Sequence, residues 1–290
     1  MAYNTHDIRF LLSCFQKGAS FKRVLVIGRT LVWVTPSELR QAAEEFGIQM
    51  DQSAAERILS KTNGYCEPFF EFLGAEEIKA MDVSNYEGAD LIHDLNRPLP
   101  ESMKDRFTAV VDGGSLEHVF NIVQAYENCM ELTAEGGSFL ALSPGNNFSG
   151  HGFHQLSPEF LFAALNEQNG FKVRRMLVHE NKKSAPVYEV MNPKEYGRRV
   201  MLCNRLPVFI KTWAIRQEVK PLFETFPQQP DWEAFWHKKA KERQDLSLKD
   251  HFRRLARKMF PALLSEYQRI RIETSQEAGF RPECYTKTAY

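Results

Sequence analysis

Residues 108–118, Thr-Ala-Val-Val-Asp-Gly-Gly-Ser-Leu-Glu-His, constrain the fold more than any other stretch. An apolar run ends abruptly at Asp112, two glycines follow, and then Glu117 and His118 stand side by side. A short β-branched run of this kind reads as a buried strand, and in an open parallel sheet ligands bind beyond the carboxyl ends of the strands. Glycines let the backbone turn and come close to a ligand. The segment is either a site wall or a strand followed by a tight turn and a solvated helix start. Its neighbours decide which.

The same pattern recurs along the chain. Residues 23–27 form a β-branched run ending in Gly28. Runs at 77–81, 89–93 and 107–111 end at Asp82, Asp94 and Asp112, and further strands are predicted at 138–143, 171–179 and 207–216. Between them lie helical patterns. Ile8, Leu11, Leu12 and Phe15 share one face of a helix over 6–16. Thr35-Pro-Ser-Glu38 is a capping-box start for a helix over 36–46, closed by Gly47. Others are predicted at 52–61, 66–73, 117–132 and from Ser157-Pro158-Glu159. Strands alternating with helices argue a doubly wound α/β sheet. The organisation read from this is one α/β domain over 1–218, with a helical insertion at 31–64. A C-terminal extension covers 219–290: a linker marked by Pro221, Pro227 and Pro230, charged helices at 231–243 and 247–271, and a loose tail over 274–290. Arg253, Arg254, Arg257 and Lys258 read as a solvated helix face opposite Phe252, Leu255, Phe260 and Leu264, with phosphate binding as the alternative.

Lys and Arg number 37, and Asp and Glu also number 37. The balance gives no electrostatic reason to expect a nucleic acid or an anionic membrane as partner. Five cysteines with no C-x-x-C pair read as reduced thiols. No basic region followed by an apolar stretch opens the chain, and no segment reaches the ~18 apolar residues of a membrane span. The expectation is a cytoplasmic protein, with its oligomeric state left open.

An acid past the second strand accepts hydrogen bonds from a ribose diol, and one past the third can accept from an exocyclic amine. Asp82 and Asp94 suit those roles, although either could instead cap a helix. Together with Asp112 they point to an adenosine-type ligand. No Gly-x-Gly-x-x-Gly, no phosphate-binding Gly-x-x-x-x-Gly-Lys loop and no Gly-x-Ser-x-Gly elbow is present, which argues against dinucleotide, P-loop and hydrolase chemistry.

The order of these parts resembles the class I S-adenosylmethionine-dependent methyltransferases over roughly residues 20–217. The resemblance is carried by Lys79-Ala-Met-Asp82, Ile92-His-Asp-Leu-Asn96, Val110-Val-Asp-Gly-Gly-Ser-Leu-Glu-His-Val119, Gly136-Gly-Ser-Phe-Leu-Ala-Leu142 and Gly150-His-Gly-Phe-His154. It implies a mostly parallel, seven-stranded Rossmann-like sheet with 207–216 as the antiparallel last strand. S-adenosylmethionine is the implied cofactor. The resemblance carries Asp82 to the ribose, Asp94 and Leu95 to the adenine, and Asp112-Gly113 to the wall beside the methionine moiety. Gly28 would open the loop under the cofactor.

The first motif departs from the family. Where an acid-x-Gly-x-Gly is usual, the chain reads Val26-Ile27-Gly28-Arg29-Thr30. The stretch from Gly28 to Asp82 is also about thirty residues longer than usual. Arg29 can take over contact with the cofactor carboxylate, or it is an arginine on an exposed turn. His154, His151, Glu117 and His118 are the candidate bases over the methyl group, since imidazole titrates near neutrality. Quinone-pathway O-methyltransferases of this fold bind a divalent ion with a similar Glu-His pair plus a glutamate three residues earlier. That position is Gly114 here, so no metal is expected. The functional expectation is methyl transfer to an O or N atom of a small-molecule or biosynthetic-intermediate acceptor. The alternative is a catalytically inactive methyltransferase-like binding or scaffolding protein.

Overall fold

The computed structural model describes residues 2–229 and 279–290. In chain order it contains β1 (Ala2–Tyr3), α1 (Thr5–Gln16), β2 (Arg23–Ile27), β3 (Leu31–Val32), α2 (Pro36–Glu45), α3 (Gln52–Ser60) and α4 (Glu67–Phe72). Then follow β4 (Glu77–Asp82), β5 (Leu91–Ile92), β6 (Phe107–Asp112), α5 (Ile122–Leu132), β7 (Thr133–Pro144) and α6 (Pro158–Ala164). The last elements are β8 (Phe171–Glu180), β9 (Val187–Val190), α7 (Pro193–Tyr196), β10 (Val208–Arg216) and β11 (Tyr285–Thr288).

The main sheet has nine strands in the order β11-β9-β8-β10-β7-β6-β2-β4-β5. The five strands from β7 to β5 are parallel, and β10 runs antiparallel between β7 and β8. The antiparallel place expected for 207–216 is therefore found. The sheet is wider than the seven strands expected, because β9 and β11 extend the β8 edge in antiparallel register. The loose tail expected at the chain's end is corrected for 279–290. Tyr285 pairs with Val190 and Thr288 with Val187, and Tyr285 is buried. The helices expected at 231–243 and 247–271, and the basic cluster of Arg253, Arg254, Arg257 and Lys258, lie outside the described residues.

Two apolar layers sandwich the sheet. Alternation along β2 sends Val24 and Val26 to one face and Leu25 and Ile27 to the other. On the first face they meet α1, α2, α3 and α4 through Leu11, Leu39, Ile58 and Phe69. On the second, Val110 and Phe139 pack with Tyr126 and Cys129 of α5. Each fully buried side chain of this kind contributes about 1.5–3 kcal/mol. Val26, at the position where an acid was the family's habit, is 1% exposed inside the first layer.

α1 starts from a capping box. The Asn4 side chain accepts from the His6 and Asp7 amides, and the Asp7 carboxylate accepts from the Asn4 amide at 2.8 Å. Asp7 also pairs with Lys211 of β10, which is fully buried. The insertion at 31–64 supplies β3, which pairs in parallel with β1, and the helices α2 and α3. It rejoins the sheet at Cys66, whose amide donates to the Thr30 carbonyl at 2.9 Å. No helix of the described residues is long and apolar enough to cross a membrane.

Candidate functional site

Register aligns the strand ends. Ile27 stands opposite Asp112 on one side and Met81 on the other, and Asp82 stands opposite Ile92. Gly28, Asp82, Asp94 and Asp112 therefore emerge at one edge of the sheet. Gly28 turns there at φ +68° and donates its amide to the Met81 carbonyl at 2.7 Å.

The three aspartates do different things. Asp82 is half-buried, and among the described contacts its carboxylate accepts only a 3.3 Å bond from the Ser84 amide. Asp94 accepts from the Asn96 side chain at 2.7 Å and the Asn96 amide at 3.0 Å, which hold its carboxyl below the usual range. Leu95 beside it is buried, and the Asn96 side-chain oxygen accepts from the Asn121 amide at 2.9 Å. Asp112 divides its two oxygens, and among the described residues Oδ2 is buried with no hydrogen-bond partner. The residue is fully buried and turns back onto its own chain, where one oxygen accepts from the Gly114, Ser115 and Leu116 amides. Those bonds shape the turn that carries Glu117 and His118. Burial pushes Asp112 up to about 6 despite them. A Cβ on Gly113 would lie 2.9 Å from the Tyr3 ring and 3.1 Å from the Thr30 hydroxyl, so β1 and the Gly28-Arg29-Thr30 loop close over it.

Arg29 is not on a loose turn. Its Nε donates to Glu67 at 2.7 Å, a terminal nitrogen donates to the Glu87 carbonyl at 2.9 Å, and its guanidinium lies 4.1 Å from the Tyr65 ring centre. Glu67 was not foreseen as a partner. An acid in the first turn of α4 reads from sequence as a dipole-favoured residue and nothing more.

The third group of residues is a carboxylate with two imidazoles. Glu117 lies on a single 3-10 turn (Leu116–His118) ahead of α5, not on the helix start expected at 117. It is 2% exposed, whereas the His118 and His151 side chains are half-exposed. Glu117 Oε1 lies 3.5 Å from His151 Nε2 and 4.0 Å from His118 Nε2, and its Oε2 is buried without a partner among the described residues. Burial pushes the Glu117 carboxyl up to about 8, with the Asp112 charge adding to it. Burial and His151 together push His118 down. One donor atom from each of Glu117, His118 and His151 lies within 4.8 Å of the others.

Two glycines make this cluster possible. Gly114 sits at φ +104°, and a Cβ there would lie 3.1 Å from Glu117 Oε1. A Cβ on Gly152 would lie 2.8 Å from the Glu117 carbonyl oxygen, which also accepts from the Phe153 and His154 amides at 2.9 and 3.2 Å. The loop after β7 is thus clamped onto the turn after β6. The clamp brings His151 to Glu117 and takes His154 elsewhere: His154 Nε2 bonds to the Phe120 carbonyl at 3.0 Å. Of the four candidate bases, three converge and His154 ties the two loops together. Three cavities of about 580, 590 and 560 Å³ lie away from all of these side chains, against α6 and β8, against α1 and the chain's last residues, and beside Trp33.

Comparison with family models gives no match, and comparison with curated protein sequences gives none either. Among solved structures the chain is similar to a SAM-dependent methyltransferase from Aquifex aeolicus (11% identity, 73% of this chain and 99% of that one, TM-score 0.34). It is also similar to the N-methyltransferase NodS from Bradyrhizobium japonicum (10% identity, 72% and 95%, TM-score 0.37). A third similar structure is the branched-chain polyamine synthase from Thermus thermophilus, in complex with N4-aminopropylspermidine and 5'-methylthioadenosine (12% identity, 79% and 61%, TM-score 0.36). At such identities and scores the fold is better read from the sheet itself. Five parallel strands with helices on both faces, and one strand reversed between β7 and β8, make the chain a doubly wound, Rossmann-like α/β protein.

Proposed function

We propose that this chain is an S-adenosylmethionine-dependent methyltransferase acting on an O or N atom of a small-molecule acceptor. The observation that carries the reading is the strand edge. Gly28, Asp82 and the Asp94 turn stand there in register, one, two and three strands from β6, which leads into the Glu117-His118-His151 cluster. A ribose-binding carboxylate and an adenine-side turn position an adenosyl sulfonium, and a proton acceptor serves acceptors that must lose a proton on methylation.

The residues present fit the cofactor at its nucleoside end. Asp82 keeps one carboxylate oxygen open for a ribose diol, and Leu95 gives an apolar base to the Asp94 turn. At the amino-acid end, Arg29 and Glu67 take the place of the family's acid with a paired cation and carboxylate, and Glu67 Oε2 is buried without a partner. When bound, the cofactor supplies an electrophilic methyl group. The chain's own part is to bind, orient and move a proton. His118, held below its ordinary value, is neutral at pH 7 and can take the proton lost by an acceptor hydroxyl or amine. Glu117 is protonated below about 8 and keeps a formal negative charge away from that imidazole.

One observation favours a second reading of the cluster. The expectation of no metal rested on Gly114, yet Gly114 makes the room in which the Glu117 carboxylate sits. One carboxylate and two imidazoles with donor atoms within 4.8 Å form a donor set suited to a divalent transition ion. Such an ion would pull Glu117 into its ionised form and polarise an acceptor oxygen. The balanced charge supports a small-molecule acceptor over a nucleic acid, and five cysteines without a C-x-x-C pair support a cytoplasmic setting. We assign residues 1–218 to the methyltransferase unit and 219–290 to an extension that closes the β9 edge through β11.

The test is calorimetry with S-adenosylhomocysteine. Wild type is expected to bind at micromolar concentration, and Asp82→Ala to weaken binding by at least tenfold. Absence of binding at millimolar ligand rejects the enzyme and leaves the scaffolding alternative. Repeating the titration with manganese or zinc chloride, against Glu117→Gln, decides between the two roles of the cluster.

A further inference from the structure

Phe120 and Phe153 are 74% and 68% exposed, which is unusual for two large aromatic rings in contact. Their centroids are 5.5 Å apart and their planes stand at 89°. Neither ring belongs to an apolar layer of the sheet. Both sit on the loops that carry the polar cluster: Phe120 is two residues beyond His118, and Phe153 is two residues beyond His151. Backbone bonds fix them there. The Phe153 amide donates to the Glu117 carbonyl, and the Phe120 carbonyl accepts from His154.

We propose that Phe120 and Phe153 form the acceptor-recognition corner of the site, and that it selects a planar aromatic ring carrying a hydroxyl or amine. This rests on the methyl-transfer reading given above. Two rings at right angles leave a corner bounded by two faces. A third flat ring can lie offset on one face and set its own edge against the other, and these are the two favoured aromatic geometries. An alkyl chain gains no such orientation. The corner is tied by main chain to Glu117, so a ring seated there presents its polar substituent towards the Glu117-His118-His151 cluster. A macromolecular partner is a poor occupant, because two rings offer far less than the ~1,000 Å² of a specific interface. His154 then acts as a positioning residue: it holds the Phe120 backbone and touches neither acceptor nor cofactor.

The experiment titrates the purified chain with 2-naphthol and with its saturated counterpart, decahydro-2-naphthol, with and without S-adenosylhomocysteine. Wild type is expected to bind 2-naphthol about tenfold more tightly than the saturated alcohol. The Phe120→Ala/Phe153→Ala double variant is expected to lose that preference, with its melting temperature within about 2 °C of wild type because both rings are exposed. Phe153→Tyr, which keeps the ring, should keep the preference. His154→Ala should lower the preference without changing the pH dependence of binding. Equal affinities for the two alcohols, a preference that survives in the double variant, or no 2-naphthol binding up to its solubility limit overturns the proposal. Failure of S-adenosylhomocysteine to bind, with the aromatic preference intact and abolished by the double variant, removes the methyl-transfer reading and leaves the corner standing.

Discussion

Glu117→Gln should make the protein more stable, and only above the ordinary carboxyl range near pH 4.5. The carboxyl is 2% exposed, and burial with the Asp112 charge raises it from an ordinary 4.5 to about 8. The sign follows from linkage. A carboxyl whose folded pKa is raised gives its full stability below the unfolded pKa and loses it as pH rises through the folded one. Ionising Glu117 inside the fold costs up to about 5 kcal/mol at 1.36 kcal/mol per pH unit. Sharing of the titration with Asp112 brings the expected range to about 2–5 kcal/mol. Glutamine has the shape of the protonated acid, so the variant should match wild type near pH 4.5, exceed it increasingly up to about pH 8, and keep that margin at pH 9. For a chain of this size, that corresponds to a rise in melting temperature of roughly 5–10 °C at pH 9. Paired thermal melts at the two pH values, in chelator, read the effect. A variant less stable than wild type at pH 9, or one shifted equally at both, would refute the buried-carboxyl argument.

Two further outcomes follow from buried polar groups. Asp112→Ala removes the acceptor for three amides and should cost roughly 2–4 kcal/mol in urea unfolding, whereas Asp112→Asn should cost less; a loss under 0.5 kcal/mol for alanine would contradict the capping role. Lys211→Met leaves Asp7 buried and uncompensated, for a loss of about 3–5 kcal/mol, and adding Asp7→Asn should recover most of it. A double variant no more stable than Lys211→Met would show that the pair is not what holds α1 to β10.

The sequence exposed the strands whose runs are β-branched and bounded by Gly or Asp, and with them the alignment of Asp82, Asp94 and Asp112. It did not expose which way a carboxylate turns. Asp112 has the same neighbours as a ligand-binding aspartate, but one of its oxygens is committed to three amides within four residues. His151 and His154 differ by three positions in one glycine-rich loop, and only the packing of Gly152 against Glu117 separates a cluster member from a loop tie. Gly114 counts against a metal when read as a missing glutamate, and as space for Glu117 when seen in place. The strands β1, β3, β9 and β11 are two to four residues long, too short for a period to register.

The bond from Cys66 to the Thr30 carbonyl gives the insertion a modular character. Its two ends meet, so residues 31–64 form a cassette closed at its base, and the α/β sheet runs on from Gly28 to α4 as though nothing intervened. Chain length within such a cassette is cheap to vary, because lengthening a closed loop adds little entropy cost. Excision is another matter. Leu39, Ala42, Ala43 and Ile58 belong to the same apolar layer as Ile8, Leu11 and Leu12 of α1. Cutting the cassette out would bare that helix to water and undo the support beneath Tyr3 and Gly113. The insertion is free to drift in length and sequence on its outer face, while its inner face is bound to the strand-end site by the helix they share.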